Sequence, residues 1–296
     1  MSEKSYFRGL LLVFFAGIFW STQGLAVRLI EDANAWQILY YRSMALIVFL
    51  AIVIFAKHGR RSVTALVATG KGGILGGLSL VFAYAAGIFA MQQTSIASAV
   101  ILFSTAPFFA AILGLVLLSE SVRRTTWLAV AVAFIGILIM QGAHFSGSHL
   151  SGNLFATCSA FGFALFTIIL RWKKQNDMIP TVLLSGIFTT IICAVIISAT
   201  GAGFQISNSD ALIALLMGIF QTGAGLVLYT IGARTVPAVQ LTLLPLVEIV
   251  LAPVWVVLVV SEYPSSTVLL GGAVVLLAVF GEASLSIKKS KRATKQ

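Results

Sequence analysis

Two ionisable side chains stand inside long apolar stretches of this sequence. Arg42 lies in Trp36-Gln-Ile-Leu-Tyr-Tyr-Arg-Ser-Met-Ala-Leu46, and Glu248 in Leu246-Val-Glu-Ile-Val-Leu251. In hydrocarbon, such a charge costs about 2.5–3.5 kcal/mol on insertion scales, so it faces a cavity or a partner. Two readings of the pair follow. In the first they clamp each other, or backbone, as a packing device. In the second they line a cavity, where Arg42 binds an anionic group such as a carboxylate and Glu248 binds a cation or a proton. Glu248 is the candidate for proton coupling because it is acidic at the middle of its stretch. Trp20, Gln23, Tyr84, Gln221, Tyr229 and Gln240 are the remaining candidates for substrate binding. A pocket needs apolar walls with a few placed polar groups, and aromatic rings hold cations. The alternative role for the amides is hydrogen bonding between helices. Tyr40, Tyr41, Trp36, Trp172 and Tyr263 lie near the ends of apolar stretches and are expected at the membrane interface.

The composition places these residues in a membrane. Of 296 residues, 59% are apolar and only 9% charged, with a mean hydropathy of +1.04. A soluble domain carries about 25% charged residues, so this chain could not clothe a water-facing surface. The net charge of +10 would fit nucleic-acid binding in a soluble protein. Here basic cytoplasmic loops account for it. Cys158 and Cys193 both fall in apolar runs. They are expected as small buried groups, not as a disulfide or metal ligands.

Ten apolar stretches of helix-spanning length follow one another: Gly9–Ile30, Asn34–Ala56, Gly70–Gln92, Ser95–Leu118, Thr125–Gly142, Gly152–Trp172, Pro180–Thr200, Asp210–Ala233, Val236–Val260 and Thr267–Ile287. The first is too long for a signal-peptide core and has no small-x-small cleavage site near its end, so it reads as a retained helix. With the N-terminus inside, 17 of the 19 Lys and Arg residues fall in inside segments. The expected protein is therefore an all-α polytopic membrane protein of ten transmembrane helices with both termini cytoplasmic. A plasma membrane, the bacterial inner membrane, is its expected location.

The two halves repeat. An offset of 142 pairs Ala110 with Ala252, Ser119-Glu120 with Ser261-Glu262 and Thr125 with Thr267. Five helices separate the copies, and because five is odd the halves insert in opposite directions. Such inverted repeats place a substrate site near the membrane midplane. The expected organisation is a first five-helix repeat over residues 1–142, an external linker over 143–151, a second repeat over 152–287 and a basic cytoplasmic tail over 288–296. Both glutamates of the Ser-Glu hinge precede a new helix, where the macrodipole favours an acid. Ser265, Ser266 and Thr125 are expected to help start the last helix of each half. Pro107, Pro245 and Pro253 fall inside the fourth and ninth stretches and remove backbone donors there. They are candidate gating elements. Gly72, Gly73, Gly76 and Gly77, together with Gly218, Gly223, Gly225, Gly271 and Gly272, are expected to let helices approach closely.

Taken together, these residues resemble the drug/metabolite transporter superfamily in its EamA-type branch. The marks are Phe19-Trp20-Ser21-Thr22, Tyr41-Arg42-Ser43, Ala106-Pro107-Phe108 leading to Ser119-Glu120, and Leu246-Val247-Glu248 leading to Ser261-Glu262. Family second halves often carry Glu-Pro where this chain has Glu248-Ile249. The resemblance implies a secondary transporter, often an exporter, moving small organic solutes by alternating access around a central cavity. An amino acid or related amphiphile is the expected solute, because Arg42 and Glu248 offer both signs of charge beside aromatic walls. A non-transporting receptor or scaffold, or a passive channel, is the alternative. No P-loop, metalloprotease or nucleophile-elbow motif is present, and His58, His144 and His149 form no metal-ligand spacing. Neither an enzyme nor a cofactor is expected. The expected partners are the solute, the lipid bilayer and protons, with no nucleic acid.

Overall fold

A computed structural model of the chain describes residues 3–93, 99, 102–141, 150–173, 177–260 and 265–293. The first half holds α1 (Glu3–Trp20), α2 (Gln23–Arg28), α3 (Ala35–His58), α4 (Ser62–Ala68), α5 (Gly70–Gln93), α6 (Ala106–Leu118) and α7 (Arg124–Gln141). The second holds α8 (Leu150–Trp172), α9 (Ile179–Thr200), α10 (Asn208–Leu216), a π-helical turn (Met217–Ala224), α11 (Gly225–Gly232), α12 (Ala238–Leu243), a 3-10 turn (Leu244–Leu246), α13 (Val247–Val260) and α14 (Ser266–Ala293). Seven helical stretches are long and apolar enough to cross a membrane: Lys4–Val27, Ala35–Ala68, Leu150–Trp172, Ile179–Thr200, Asn208–Gly232, Ala238–Val259 and Ser266–Ile287. Ala106–Leu118 and Arg124–Met140 are shorter apolar helices. Val48, Ile52, Phe55, Leu128 and Leu277 are exposed on these helices. Apolar residues cover the outside as well as the core, as a lipid environment requires.

Several predicted helices are broken, each for a local reason. The first stops at Trp20, where the Ser21 and Thr22 hydroxyls donate to the carbonyls of Ile18 and Phe19 and bend the chain. The fourth is helical at Ala99, Leu102 and Phe103, turns at Ser104-Thr105 and resumes as α6 at Ala106. Pro107 therefore sits in the first turn of α6, where its missing N–H costs nothing, and not inside the helix. Pro245 lies in the 3-10 turn between α12 and α13, whereas Pro253 is truly internal to α13. The last helix runs past its predicted end at Ile287 to Ala293. Ser265 accepts a hydrogen bond from the Val268 N–H at 3.4 Å and helps start that helix, while Ser266 is its first helical residue. The helix α7 begins one residue before Thr125.

The helices pair in a defined pattern. α5 lies along α8 and α9, α1 along α11 and α13, α6 along α8 and α12, α3 along α9 and α10, and α7 along α14. Cys193 is buried and Cys158 half-buried, both as free thiols.

Polar contacts tie the two ends of the bundle. At one end, Asn34 and Gln37 form a reciprocal cap for α3, and Gln37 Nε2 donates to the Gly203 carbonyl at 2.9 Å. The Asp210 carboxylate accepts the backbone N–H groups of Glu31, Asp32 and Ala33 at 3.0–3.2 Å. Tyr41 donates to the Phe204 carbonyl at 2.8 Å, and the Tyr40 ring packs on that of Phe204. At the other end, Asp177 gathers Lys57 and His58, both at 2.7 Å, and Arg234 at 3.4 Å. Partial burial pushes the Asp177 carboxyl up, but hydrogen bonds from Lys57, His58 and the Ile179 N–H outweigh it and hold it below the usual 3.8. Because the folded carboxyl titrates below the unfolded one, its stabilisation is present above the unfolded value and is lost as pH falls through the folded one. Asp177→Asn is expected to lower stability by about 1 kcal/mol near neutral pH and by nothing at strongly acidic pH. Thermal melts of the two purified proteins over an acid series check this.

Candidate functional site

The broken helices converge on a cavity of about 240 Å³. Trp20 and Gln23 reach it from the break between α1 and α2, Leu39 and Arg42 from α3, and Tyr84 and Gly87 from α5. Ser159 and Phe163 come from α8, Gln221 and Thr222 from the π-helical turn, and Thr242, Pro245 and Glu248 from the segment around the 3-10 turn. Such interruptions of membrane helices are tolerated where they line a cavity, and π-helical turns recur at functional positions.

Arg42 is only 7% exposed. Its guanidinium carbon lies 4.9 Å from the centre of the Tyr84 ring. Its Nε is buried with no hydrogen-bond partner. The π-helical turn presses against α3 at this point: a Cβ on Gly218 would stand 2.2 Å from the Arg42 carbonyl oxygen. A Cβ on Gly225 would stand 2.3 Å from Trp20 Nε1, so that glycine admits the indole ring. Glu248 occupies the first turn of α13. The helix restarts after Pro245, and a restarted helix presents a partly positive N-terminus to an acid. That local start supplies a physical reason for a carboxylate at the middle of an apolar stretch. Among the described residues, no ion pair joins Arg42 to Glu248, and no hydrogen bond reaches the Glu248 carboxylate. The mutual clamp is not formed.

The amides and rings of the cavity are held from behind. Gln221 Nε2 donates to Gln23 Oε1 at 3.0 Å, and the Thr222 hydroxyl donates to Gln221 Oε1 at 2.7 Å. Trp20 packs edge-on against Phe163, with ring centres 5.7 Å apart. Ser159 donates to the Ala83 carbonyl at 2.8 Å.

Of the eight residues predicted for substrate binding, the cavity brings together Arg42, Glu248, Trp20, Gln23, Tyr84 and Gln221. Tyr229 stands behind the wall. It is fully buried, packs on Trp20 and Phe163, and its hydroxyl lies 2.6 Å from Thr167 Oγ1. Gln240 turns to a different place, bonded to Tyr6, Glu282 and Ser286. Of the gating candidates, Pro245 lines the cavity. Glu120, expected to serve the helix that follows it, reaches elsewhere. Arg171 binds its Oε1 through Nε at 3.0 Å and also through an Nη, and its Oε2 accepts from the N–H of Ala238 at 3.2 Å. It thus caps α12 of the other half, because a guanidinium and a free helix N-terminus are stronger partners than its own loop offers. Ser261, Glu262, Tyr263 and most of the predicted linker lie outside the described residues.

Sequence reading missed Ser159, Phe163, Thr222 and Thr242, since hydroxyls and phenylalanines recur throughout the apolar stretches. It also missed Glu282, which is 3% exposed inside α14. The signal was present: an acid flanked by Val279-Phe280-Gly281 and Ala283-Ser284-Leu285.

The family model of the EamA-like transporter family matches twice, over residues 7–141 and 150–281. An uncharacterized transporter of Clostridium kluyveri is 25% identical over 285 residues, covering 89% of each chain. An S-adenosylmethionine uptake transporter of Rickettsia felis is 23% identical over 210 residues, 69% of each chain. A solved crystal structure superposes with a TM-score of 0.82 at 17% identity, covering 95% of this chain and 98% of the other, and so shares its fold. With one family model matched over both halves of a multi-pass membrane fold, this chain belongs to the EamA-like transporter family.

Proposed function

We propose that the protein is a secondary transporter that carries a small amphiphile bearing both charges, an amino acid or a relative of one, through the Arg42–Glu248 cavity. One observation carries this reading. A basic and an acidic side chain face a single aromatic-walled cavity, and among the described residues no ion pair joins them. A solute carboxylate would meet Arg42, and its cationic group would meet Glu248 and the rings. S-Adenosylmethionine, named for the Rickettsia felis relative, has this chemistry. Glu248 is also our candidate for proton coupling. Pro107, Pro245 and Pro253 remain candidate gating positions.

Ten spans in two inverted repeats of five support alternating access. The repeat is favoured by the double family match and by the packing pattern. Counting the ten predicted stretches in chain order and shifting each by five turns the pairing of α5 (third) with α8 (sixth) into that of α11 (eighth) with α1 (first), and the pairing of α6 (fourth) with α8 into that of α13 (ninth) with α1. The pairs α3–α9, α6–α12 and α7–α14 map onto themselves. The distribution of Lys and Arg supports cytoplasmic termini and a bacterial inner membrane. Export as the direction rests on the family resemblance, since the Rickettsia felis relative is named for uptake.

Counterflow in proteoliposomes, with labelled S-adenosylmethionine and a panel of amino acids as probes, tests the reading in either direction. Wild-type protein is expected to show saturable, trans-stimulated exchange. A scaffold would show none, and a passive channel would show no trans-stimulation. Glu248→Gln is expected to slow exchange by at least about tenfold, the loss of one charge-assisted contact. Wild-type rates in Glu248→Gln from acidic to mildly alkaline buffer would overturn the role of this carboxylate.

A further inference from the structure

A second cavity, of about 520 Å³, lies one helical turn beyond the first. On α6, Ala106 lines the central cavity, while Ala110 and Gly114 line the second. On α12, Thr242 lines the central cavity and Ala238 the second. Four residues make about one turn, so both helices run from one cavity to the other. The helix α6 belongs to the first half and α12 to the second. Between the cavities, Ala110 and Ala238 are buried together with Ala164 and Ile168 of α8. Only small side chains of α6 and α12 meet there: a Cβ on Gly114 would stand 3.7 Å from the Ala238 Cβ, an ordinary contact.

The strong contacts stand beside this septum. From Phe163 in the central cavity, α8 places Thr167 one turn on and Arg171 two turns on. Thr167 meets the Tyr229 hydroxyl. Arg171 meets Glu120, a residue of the second cavity, and also donates through Nη1 to the Ala233 carbonyl at 3.0 Å. Glu120 in turn accepts the Ala238 N–H. The pair thus clamps both ends of the segment 233–238 that joins α11 to α12. Glu120 is the contribution of the first half; Arg171, Ala233 and Ala238 belong to the second. The backbone is bent to deliver it. Among the described residues Ser119 is the one non-glycine with left-handed backbone, φ 54°. Such a conformation costs free energy and persists where its surroundings hold it. It turns Glu120 back, so that the Glu120 N–H donates to the Gly114 carbonyl at 3.0 Å.

We propose that the Glu120–Arg171 pair latches a passage between the two cavities, and that the second cavity is the vestibule through which the same solute reaches or leaves the Arg42–Glu248 site. Parting the pair frees Ala238 from Glu120 and Ala233 from Arg171 in one event. The α12 segment can then draw away from α6, and the Ala110–Ala238 contact opens. The Arg171 side chain is 8% exposed and that of Glu120 25%, so charge-assisted hydrogen bonds hold the closed form, and water in the vestibule replaces them in the open one. The vestibule role rests on the transport reading; the latch is read without any solute.

Thiol labelling tests the latch, with a quaternary-ammonium methanethiosulfonate that does not cross lipid as the only probe. Cys158 and Cys193 are replaced by serine and alanine, and single cysteines are read in sealed membrane vesicles. Ser121→Cys, exposed beside the second cavity, identifies the face to which that cavity opens. From that face, Ala106→Cys in the central cavity is expected to label about tenfold faster or more when Glu120→Gln is added, which removes a charge-assisted contact. Fully buried Ile137→Cys on α7 is expected to keep its rate. Equal rates at Ala106→Cys with and without Glu120→Gln would overturn the latch, as would faster labelling of both cysteines, which signals a loosened fold. If the Glu120→Gln protein does not fold, a crosslink decides. Gly114→Cys with Ala238→Cys places the two Cβ atoms 3.7 Å apart, within the span of a disulfide. Oxidation is expected to arrest solute exchange and reduction to restore it, and exchange that continues after complete oxidation overturns the proposal. Absence of counterflow in the wild type would strike the transport reading, and the labelling rates would still decide the latch.

Discussion

Arg42→Ala is expected to slow solute exchange about a hundredfold at low solute concentration. The basis is the loss of a charge-assisted, two-pronged contact with a carboxylate, worth up to about 3 kcal/mol. Arg42→Lys is expected to recover only a small part, since an ammonium keeps the charge but not the planar fork. The same residue gives the opposite sign in a stability measurement. Arg42 is buried, its Nε has no partner, and its contact is the Tyr84 ring. Replacing a buried charge that lacks a countercharge by an apolar side chain of similar length is often neutral or stabilising. Arg42→Met is therefore expected to melt at or above the wild-type temperature while exchange collapses. Were Arg42 a packing clamp, Arg42→Met would lower the melting temperature, and counterflow would fall only with the amount of folded protein.

Gly271→Val is expected to destabilise the bundle by about 3 kcal/mol or more, at the upper end of overpacking costs. A Cβ at Gly271 would stand 2.4 Å from the carbonyl oxygen of Gly136 and 2.5 Å from the Met140 nitrogen. Reciprocally, a Cβ at Gly136 would stand 2.8 Å from the Gly271 carbonyl oxygen. These are backbone atoms, which cannot rotate aside, so α7 and α14 would have to separate along their shared length. Lipid offers no hydrophobic drive to hold them together, and close packing of small residues is what joins such helices. Gly281→Ala on the same helix is the control, because a Cβ there meets nothing within 4 Å. The yield of monodisperse protein in detergent and its melting temperature separate the two variants.

The candidate site was half legible. Arg42 and Glu248 announce themselves because a charge in an apolar stretch is improbable without a role. Trp20, Gln23, Tyr84 and Gln221 were chosen by type and depth, and the cavity collects them. By the same criteria Tyr229 and Gln240 looked equal to them, yet Tyr229 bonds to Thr167 behind the wall and Gln240 bonds to Tyr6 at another site. Glu282 carried the same signal as Glu248. It lies inside the predicted stretch Thr267–Ile287, six residues before Lys288.

By itself the sequence determined that this is a helical membrane protein, roughly where its helices run and which charges are anomalous. Those properties are local: about twenty apolar residues suffice to define a span, and a lone charge stands out wherever it occurs. Only the tertiary structure decided which face of each helix meets which neighbour. In a water-soluble helix the polar stripe reveals the buried face, but lipid is as apolar as the core, so both faces carry the same residue types. Whether Arg42 and Glu248 pair, where Pro107 falls in its helix, which partner Glu120 takes and what surrounds Glu282 all depend on contacts between residues far apart in the chain. Those contacts are set by backbone approaches such as Gly218 on Arg42 and Gly271 on Gly136. No hydropathy pattern records them.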